Sequence, residues 1–142
     1  SIFSSIEALV KSSRSILTTT PAREPLIAGQ WLEPGQHITA MGSDAPEKRE
    51  LDTLCFQRAN LIAVDKRTQS ETRGELRALS DDVRQSLPIY ELPQLLVDGV
   101  EREPNTISIC DLTGTGIQDT AIAEFAVSKC QDLPGVFKLP LD

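Results

Sequence analysis

The sequence is poor in aromatic residues, histidines and cysteines, and each scarcity argues against a class of site. Aromatic residues make up 4% of the chain, too few for the stacking surfaces that bind single-stranded nucleic acid. The one histidine, His37, and the lack of any Cys-x-x-Cys pair argue against zinc, so we predict no metal site. Cys55, Cys110 and Cys130 are odd in number and far apart. We interpret them as reduced thiols of a cytoplasmic protein.

Positive charge and long apolar runs are also lacking. The chain carries 14 basic against 21 acidic residues, a net charge of −7. This balance argues against binding to phosphate backbones or to an anionic membrane surface. No apolar stretch approaches the roughly 18 residues of a membrane-spanning helix. We therefore predict that neither nucleic acid nor membrane is a partner.

The glycine-rich signature of a dinucleotide site is missing too. Such a site usually shows G-x-G-x-x-G after the first strand of an α/β sheet. The nearest approach, "TGTG" at 113–116, lacks the third glycine and the acidic residue about 20 positions on. If a dinucleotide is bound, we expect its pyrophosphate loop to lie outside this chain.

What the sequence does contain is an alternation of strands and helices. Strands are predicted at 16–20, 37–42, 61–65 and 106–111, and helices at 5–13, 51–59, 91–99 and 116–130. The strand segments are apolar without polar alternation, which predicts burial on both faces. The alternation predicts an α/β fold with a mostly parallel sheet. The polar stretch 66–90 is predicted as a surface helix followed by a loop, with an edge of the sheet nearby.

Three loops follow predicted strands and should meet at the carboxyl edge of the sheet, where open α/β sheets bind ligands. They are "TTTPA" (18–22), "MGSDAPEK" (41–48) and "DLTGTG" (111–116). In the second loop, Gly42 lets the backbone approach a ligand closely. Asp44 and Lys48 then form a possible acid/base and carboxylate-binding pair. The alternative is that Asp44 caps a helix that starts at Ala45.

The first and third loops also leave two interpretations open. The three threonines at 18–20 either reflect β-propensity alone or place a hydroxyl or backbone group against a cofactor. Asp111, Thr113, Gly114 and Gly116 either make a tight turn in which Asp or Thr caps the next helix, or form a loop that closes over a substrate.

Two long stretches, 16–51 and 109–127, carry a family resemblance. The first contains T-x-T, E-P-L, W-L-x-P-G-x-H and G-x-D-x-P-x-K-x-E-L in that order. The second contains "DLTGTG" followed by a long helix. Together they resemble the ornithine cyclodeaminase/mu-crystallin family over about residues 5 to 130. The segments "TAMGSDAPEK" and "DLTGTGIQDTAIA" are most similar to its ectoine-utilisation (EutC) branch.

The resemblance implies the carboxyl half of a Rossmann-like domain that binds NAD or NADP, acting on a small amino acid or imine. It implies that Asp44 is the catalytic acid/base. The implied cofactor contacts are Thr20, Met41, Gly42, Ser43, Lys48 and Leu112. The implied substrate contacts are Thr113 and Gly114. Leu112 departs from the family, in which a serine is common at this position.

The resemblance also implies an organisation and an alternative. Residues 1–115 are expected to be part of the cofactor domain, and 116–142 a helix and tail that pack toward a substrate and dimerisation domain. That domain and the glycine-rich half are expected outside this chain, so we expect the isolated chain to be an inactive fragment of a homodimeric enzyme. The alternative is a non-catalytic, mu-crystallin-like protein that binds a nucleotide or another ligand.

Overall fold

Five parallel strands form a single sheet in the computed structural model, which describes residues 2–130. They are β1 (Ser15–Thr18), β2 (His37–Ala40), β3 (Leu61–Val64), β4 (Ile89–Glu91) and β5 (Ser108–Asp111). Their order across the sheet is β1-β2-β5-β3-β4, and every neighbouring pair is parallel. The predicted α/β class with a parallel sheet is therefore confirmed.

Six helices and two short 3-10 turns connect the strands within the described residues. The helices are α1 (Ile6–Ser12), α2 (Thr53–Arg58), α3 (Arg67–Ser70), α4 (Asp81–Ser86), α5 (Leu92–Asp98) and α6 (Gly116–Cys130). The 3-10 turns are Gly29–Trp31 and Glu75–Ala78. α2 begins where the Asp52 carboxyl accepts the Cys55 N–H, and α5 ends at Gly99, whose φ is +63°. Both are common helix boundaries, and all four predicted helices are present.

A row of isoleucines crosses one face of the sheet and forms the centre of the core. The strand register aligns them in this order: Ile16, Ile38, Ile109, Ile62 and Ile89. The first four are buried and Ile89 packs against them. Phe56 of α2 and Val10 of α1 belong to the same cluster and are fully buried. Burial of this apolar row removes several large side chains from water, which is the main stabilising contribution to a fold of this kind.

The prediction that the strands are covered on both faces is wrong for β1. Ser15 and Leu17 are exposed, Leu17 to 63%, while Ile16 and Thr18 are buried. β1 lies at an edge of the sheet, and within the described residues only one of its faces is covered. β3 and β5 lie inside the sheet and are buried along most of their length.

Residues 66–90 also differ from the prediction of a surface helix and loop. They form α3, the second 3-10 turn and α4, and they lead into β4. Ser70, Glu75 and Leu76 within this stretch are buried. Its apolar residues are too sparse for a helical period, and β4 has only three residues, so pattern alone did not show either feature. β4 is the edge strand on the side of the sheet opposite β1. This confirms the prediction that an edge of the sheet lies near this stretch.

No helix among residues 2–130 is both long enough and apolar enough to cross a membrane. Of the predicted C-terminal segment 116–142, the structure describes α6, and the tail 131–142 lies outside the described residues. None of the fifteen residues of α6 is buried among the described residues.

Candidate functional site

The three predicted loops meet at the carboxyl edge of the sheet. The last row of paired residues there is Thr18, Ala40, Asp111, Val64 and Glu91. The pairing continues for one residue into the loops, because Met41 N donates to Thr18 O and Leu112 N donates to Ala40 O, both at 2.9 Å. Thr20, Gly42 and Leu112 therefore lie at one edge, as the sequence predicted.

Glu50, which sequence reasoning missed, ties the first two loops together. Its side chain is fully buried. Oε2 accepts the Thr18 hydroxyl at 2.6 Å and the Gly42 N–H at 2.8 Å. Oε1 accepts the Thr20 N–H at 2.6 Å. Two of the predicted cofactor contacts, Thr20 and Gly42, thus have their backbone N–H groups bound to one carboxyl group.

Gly42 is needed for a close approach inside the chain. A Cβ at this position would lie 2.3 Å from Thr20 O and 2.4 Å from Glu50 Oε1. Both distances are shorter than Cβ atoms show in real structures. Replacing Gly42 by any other residue would therefore displace the Glu50 carboxyl or the Thr20 backbone. The sequence-based explanation was that the glycine makes room for a ligand. In the structure, the glycine makes room for Thr20 and Glu50 of the chain itself.

Asp44 is exposed and paired with Lys48. Asp44 Oδ1 lies 2.7 Å from Lys48 Nζ, and 53% of the Asp44 side chain is exposed. The hydrogen bond from Lys48 holds the pKa of the Asp44 carboxyl below its ordinary value. No helix starts at Ala45; the chain makes a turn in which Lys48 N donates to Ala45 O at 3.0 Å. The helix-cap interpretation of Asp44 is therefore wrong.

The rest of the Asp44 loop is held by two side chains that donate to the carbonyl oxygen of Lys48. The buried Ser43 donates its hydroxyl to Lys48 O at 2.9 Å, and Arg77 donates to the same oxygen at 3.1 Å. Met41, in contrast, is 45% exposed. The loop therefore presents Met41 and the Asp44–Lys48 pair to solvent and keeps Ser43 inside.

The third predicted loop (111–116), called the late turn from here on, is held by Asp65, the residue after β3. The Thr113 N–H donates to Asp65 Oδ2 at 2.9 Å, and its hydroxyl donates to Asp65 Oδ1 at 3.1 Å. Gln69 donates to Gly114 O at 2.7 Å. Gly114 is exposed, its φ is +81°, and the space around its Cβ position is open. Of the predicted substrate contacts, Gly114 therefore lies open to solvent and Thr113 is partly engaged by Asp65.

Asp111 and Glu75 form a second buried acidic group beneath these loops. Asp111 Oδ2 accepts the Ser70 hydroxyl and, at 3.0 Å, the Glu75 N–H, so Asp111 does not cap α6 as one interpretation held. Glu75 in turn accepts the N–H groups of Glu50 and Leu51 at 2.6 and 3.2 Å. Burial raises the pKa of Glu75 to about 7 and that of Asp111 to about 6. A continuous set of contacts thus runs from the late turn to Glu50.

Sequence reasoning missed Asp65, Glu50 and Glu75, and the sequence does not point to all three equally well. Asp65 directly follows a predicted strand, the same kind of position that drew attention to Asp44, so it could have been found. Glu75 lies in the stretch that was predicted to be surface. Glu50 lies in a run of mixed charge, "EKRE", which is typical of a solvated loop. For Glu75 the sequence offered no signal, whereas Glu50 stands in the family motif G-x-D-x-P-x-K-x-E-L, which could have pointed to it.

The cysteines show no sign of reactivity. All three are free thiols, and Cys55 is buried. Burial raises the pKa of the Cys55 thiol, and it raises that of Cys110 to about 11. Because the thiolate is the nucleophilic form, neither thiol is a candidate nucleophile.

An apolar cavity of about 210 Å³ lies beside the late turn. It is lined by Asp65, Lys66, Leu92, Pro93, Thr115, Ile117 and Gln118. Sites for small molecules usually hold roughly 300–1,000 Å³. The cavity is therefore large enough for one ring of a cofactor and too small for a dinucleotide.

Comparison with known proteins gives consistent matches. Residues 1–132 match the profile of the ornithine cyclodeaminase/mu-crystallin family. The chain is 41% identical to an uncharacterised cyclodeaminase of Sinorhizobium fredii over 87% of its length and 38% of the relative. It is 38% identical to the alanine dehydrogenase of Archaeoglobus fulgidus over 90% of its length and 42% of the relative.

A solved structure shows the same fold with a cofactor. The iminosuccinate reductase of Paracoccus denitrificans, in complex with NAD⁺, has 30% identity and a TM-score of 0.68. The match covers 82% of this chain and 37% of the reductase. The chain thus spans less than half the length of these relatives.

Proposed function

The chain belongs to the ornithine cyclodeaminase/mu-crystallin family, and on that premise we propose that it is part of an NAD(P)-dependent enzyme. The enzyme would transfer hydride at the amine-bearing carbon of a small amino acid or imine. The observation that carries the proposal is the exposed Asp44 carboxyl, paired with Lys48, on a loop held at the carboxyl edge of the parallel sheet. Relatives named as a cyclodeaminase, an alanine dehydrogenase and an iminosuccinate reductase support this class.

The cofactor role falls to residues on the first two loops and the late turn. The NAD⁺ complex of the iminosuccinate reductase supports this choice of cofactor. Bound NAD(P) would supply the hydride acceptor or donor. We propose that Thr20, Met41, Lys48 and Leu112 contact it, while the buried Gly42 and Ser43 keep the second loop in place for those contacts. Residues 1–115 would form part of the cofactor domain, and 116–142 would pack toward a substrate and dimerisation domain of a homodimer.

Asp44 would do the proton chemistry. When the α-carbon of an amine gives up a hydride, its nitrogen must also lose a proton to give a neutral imine. An aspartate is ionised at neutral pH, and the hydrogen bond from Lys48 lowers the pKa of Asp44 further. Its carboxylate can therefore stabilise the cationic imine and then accept the proton that this acidic cation loses. In the reductive direction the same carboxyl, once protonated, returns the proton to nitrogen. Thr113 and Gly114 would contact the substrate beside it.

We further propose ectoine catabolism as the setting, on the resemblance of 39–48 and 111–123 to the ectoine-utilisation branch. The presence of both an exposed Asp44 and a partly buried Lys48 paired with it favours an enzyme over the non-catalytic alternative. Comparing turnover of amino acids released by ectoine breakdown with that of alanine and ornithine would test the setting.

The central test is Asp44→Asn in the complete enzyme. Asparagine keeps the size of the side chain but removes its charge and basicity. We expect turnover to fall about 10²- to 10⁴-fold, with NAD binding close to that of the wild type by calorimetry. Asp82→Asn, an exposed acid on α4, is the matched control and should leave turnover unchanged. Wild-type turnover by Asp44→Asn would show that Asp44 is not the acid/base.

A further inference from the structure

We propose that Glu50 is a positioning residue for this reaction, because its buried carboxyl group sets the loops after β1 and β2 in the arrangement that the reaction needs. The proposal rests on the proposed function. It assigns to Glu50 no contact with substrate or cofactor. Its role is to place Thr20 and Gly42, and through Gly42 the acid Asp44.

The geometry makes Glu50 the junction of the two loops. Thr18 and Thr20 come from the end of β1, and Gly42 follows the end of β2. Both oxygens of Glu50 are used, at 2.6 Å to Thr18 Oγ1, 2.6 Å to Thr20 N and 2.8 Å to Gly42 N. Asp44 is two residues from Gly42, and its N–H donates to Gly42 O at 3.1 Å. A shift of Gly42 would therefore carry Asp44 with it.

The Glu50 carboxyl group packs so closely on Gly42 that no additional atom fits between them. The missing Cβ of Gly42 would lie 2.4 Å from Glu50 Oε1 and 2.5 Å from its Cδ. The carboxyl group thus packs directly on the Gly42 backbone. The Thr20 and Gly42 N–H groups point into the chain at Glu50, so without it both would be left with a desolvated, unsatisfied donor.

Glu50 is itself fixed by its neighbours, which a positioning residue requires. Glu75 accepts its N–H at 2.6 Å. Its carbonyl accepts the N–H groups of Leu26 and Ile27 at 2.7 and 3.1 Å. Among residues 2–130, the exposed side chain of Asp44 has no comparable support beyond the ion pair with Lys48. The precision of the acid/base therefore depends on the loop, and the loop depends on Glu50.

The test is Glu50→Gln in the complete enzyme, with kinetics measured below the melting temperature of each variant. Glutamine has the same size but replaces one acceptor oxygen by an NH₂ group. Whichever way the amide turns, that group faces a donor, so at least one contact is lost. We expect kcat/KM to fall about 10²-fold and the dissociation constant of NAD to rise. Amide hydrogen exchange at Thr20 and Gly42 should accelerate.

Two controls separate positioning from general destabilisation. Glu47→Gln makes the same change at an exposed position of the same loop and should leave kcat/KM unchanged. Ile107→Ala truncates a buried residue before β5, at the opposite edge of the sheet, and should lower the melting temperature without lowering kcat/KM of the folded enzyme. If folded Glu50→Gln keeps wild-type kcat/KM, or if Ile107→Ala loses as much, Glu50 is only structural.

Failure of the proposed function would be visible separately. A wild-type enzyme without NAD-dependent turnover would reject that function, while unchanged exchange at Thr20 and Gly42 in Glu50→Gln would reject the positioning role. If Glu50→Gln does not fold, Thr18→Val removes one donor to Glu50 and leaves the carboxyl in place. We expect a several-fold loss of kcat/KM in that variant, and wild-type kinetics would overturn the proposal.

Discussion

At the scale of single residues, the carboxyl groups at the carboxyl edge of the sheet have two contrasting environments. Asp44 is exposed and its pKa is lowered by Lys48. Glu75 and Asp111 are buried, and burial raises their pKa values to about 7 and about 6. This contrast separates the group that is free to exchange protons with a ligand from groups that hold the backbone in place.

The raised pKa of Glu75 predicts a pH-dependent stability. An ordinary glutamate has a pKa of 4.5, so between pH 4.5 and about 7 the folded chain binds more protons at Glu75 than the unfolded chain. The free energy of unfolding should therefore fall as pH rises through this window, by an amount on the order of 1–3 kcal/mol. The nearby carboxyl groups of Asp111 and Glu50 also raise the pKa of Glu75. Urea denaturation at pH 5, 6, 7 and 8 measures it.

Glu75→Gln should flatten this slope, because glutamine does not titrate. Asp111 still contributes between pH 3.8 and about 6, so the flattening should be clearest above pH 6. Glu103→Gln, at an exposed position before β5, should leave the slope unchanged. Equal slopes in wild type and Glu75→Gln would show that Glu75 does not hold an extra proton in the folded chain.

At the scale of elements, the site depends on how the segment between α3 and the second 3-10 turn packs against the end of β5. Gly74 lies at this contact. A Cβ at Gly74 would lie 2.7 Å from Asp111 Oδ2, 2.7 Å from Thr113 Cγ2 and 2.9 Å from Ser70 Cα. Its φ of −79° is open to any residue, so here glycine is required for space alone.

Gly74→Ala should therefore push the late turn away from α3. We expect a loss of about 1–3 kcal/mol in unfolding free energy, together with changed amide chemical shifts at Thr113. Gly116→Ala makes the same substitution at the start of α6, where nothing lies within 4 Å of the new Cβ. It should change stability by less than about 0.5 kcal/mol. Similar effects of the two substitutions would contradict the packing argument.

At the scale of the whole molecule, much apolar surface of the described chain remains uncovered. On α6, Ile117 and Ile122 are 77% and 64% exposed, and Phe125 and Val127 are each 57% exposed. The matched relatives are more than twice as long as this chain. Apolar surface of this extent usually marks an interaction site, which agrees with the proposal that further parts of the enzyme pack here.

The isolated 142-residue chain should therefore bind NAD weakly. The described residues offer a ring-sized cavity but no G-x-G-x-x-G loop, and the pyrophosphate of a dinucleotide usually depends on that loop. Calorimetric titration should detect no low-micromolar binding to the isolated chain. The complete enzyme, measured in the same buffer, should bind NAD. Low-micromolar binding to the isolated chain would contradict the proposed division of the cofactor site.

The sequence by itself determined most of the secondary structure outside residues 66–90, and the end of the sheet at which the site lies. Four of the five strands and four of the six helices among the described residues were predictable, because apolar runs and a helix-ending glycine such as Gly99 act over a few residues. The position of Asp44 after β2 was equally visible, and so was the edge at which the three loops meet, since parallel strands carry their carboxyl ends to one side.

Only the tertiary structure decided how that site is held together. It inserted β5 between β2 and β3, and it turned Glu50, Glu75 and Asp111 inward. Glu50 and Glu75 are 25 residues apart, and Glu75 and Asp111 are 36 apart. In the sequence Glu50, Glu75 and Asp111 are each followed by a leucine, and this local pattern does not show that the carboxyl group is buried. They are buried because backbone N–H groups from distant segments meet their carboxyl oxygens, and those donors come together only after the sheet has formed.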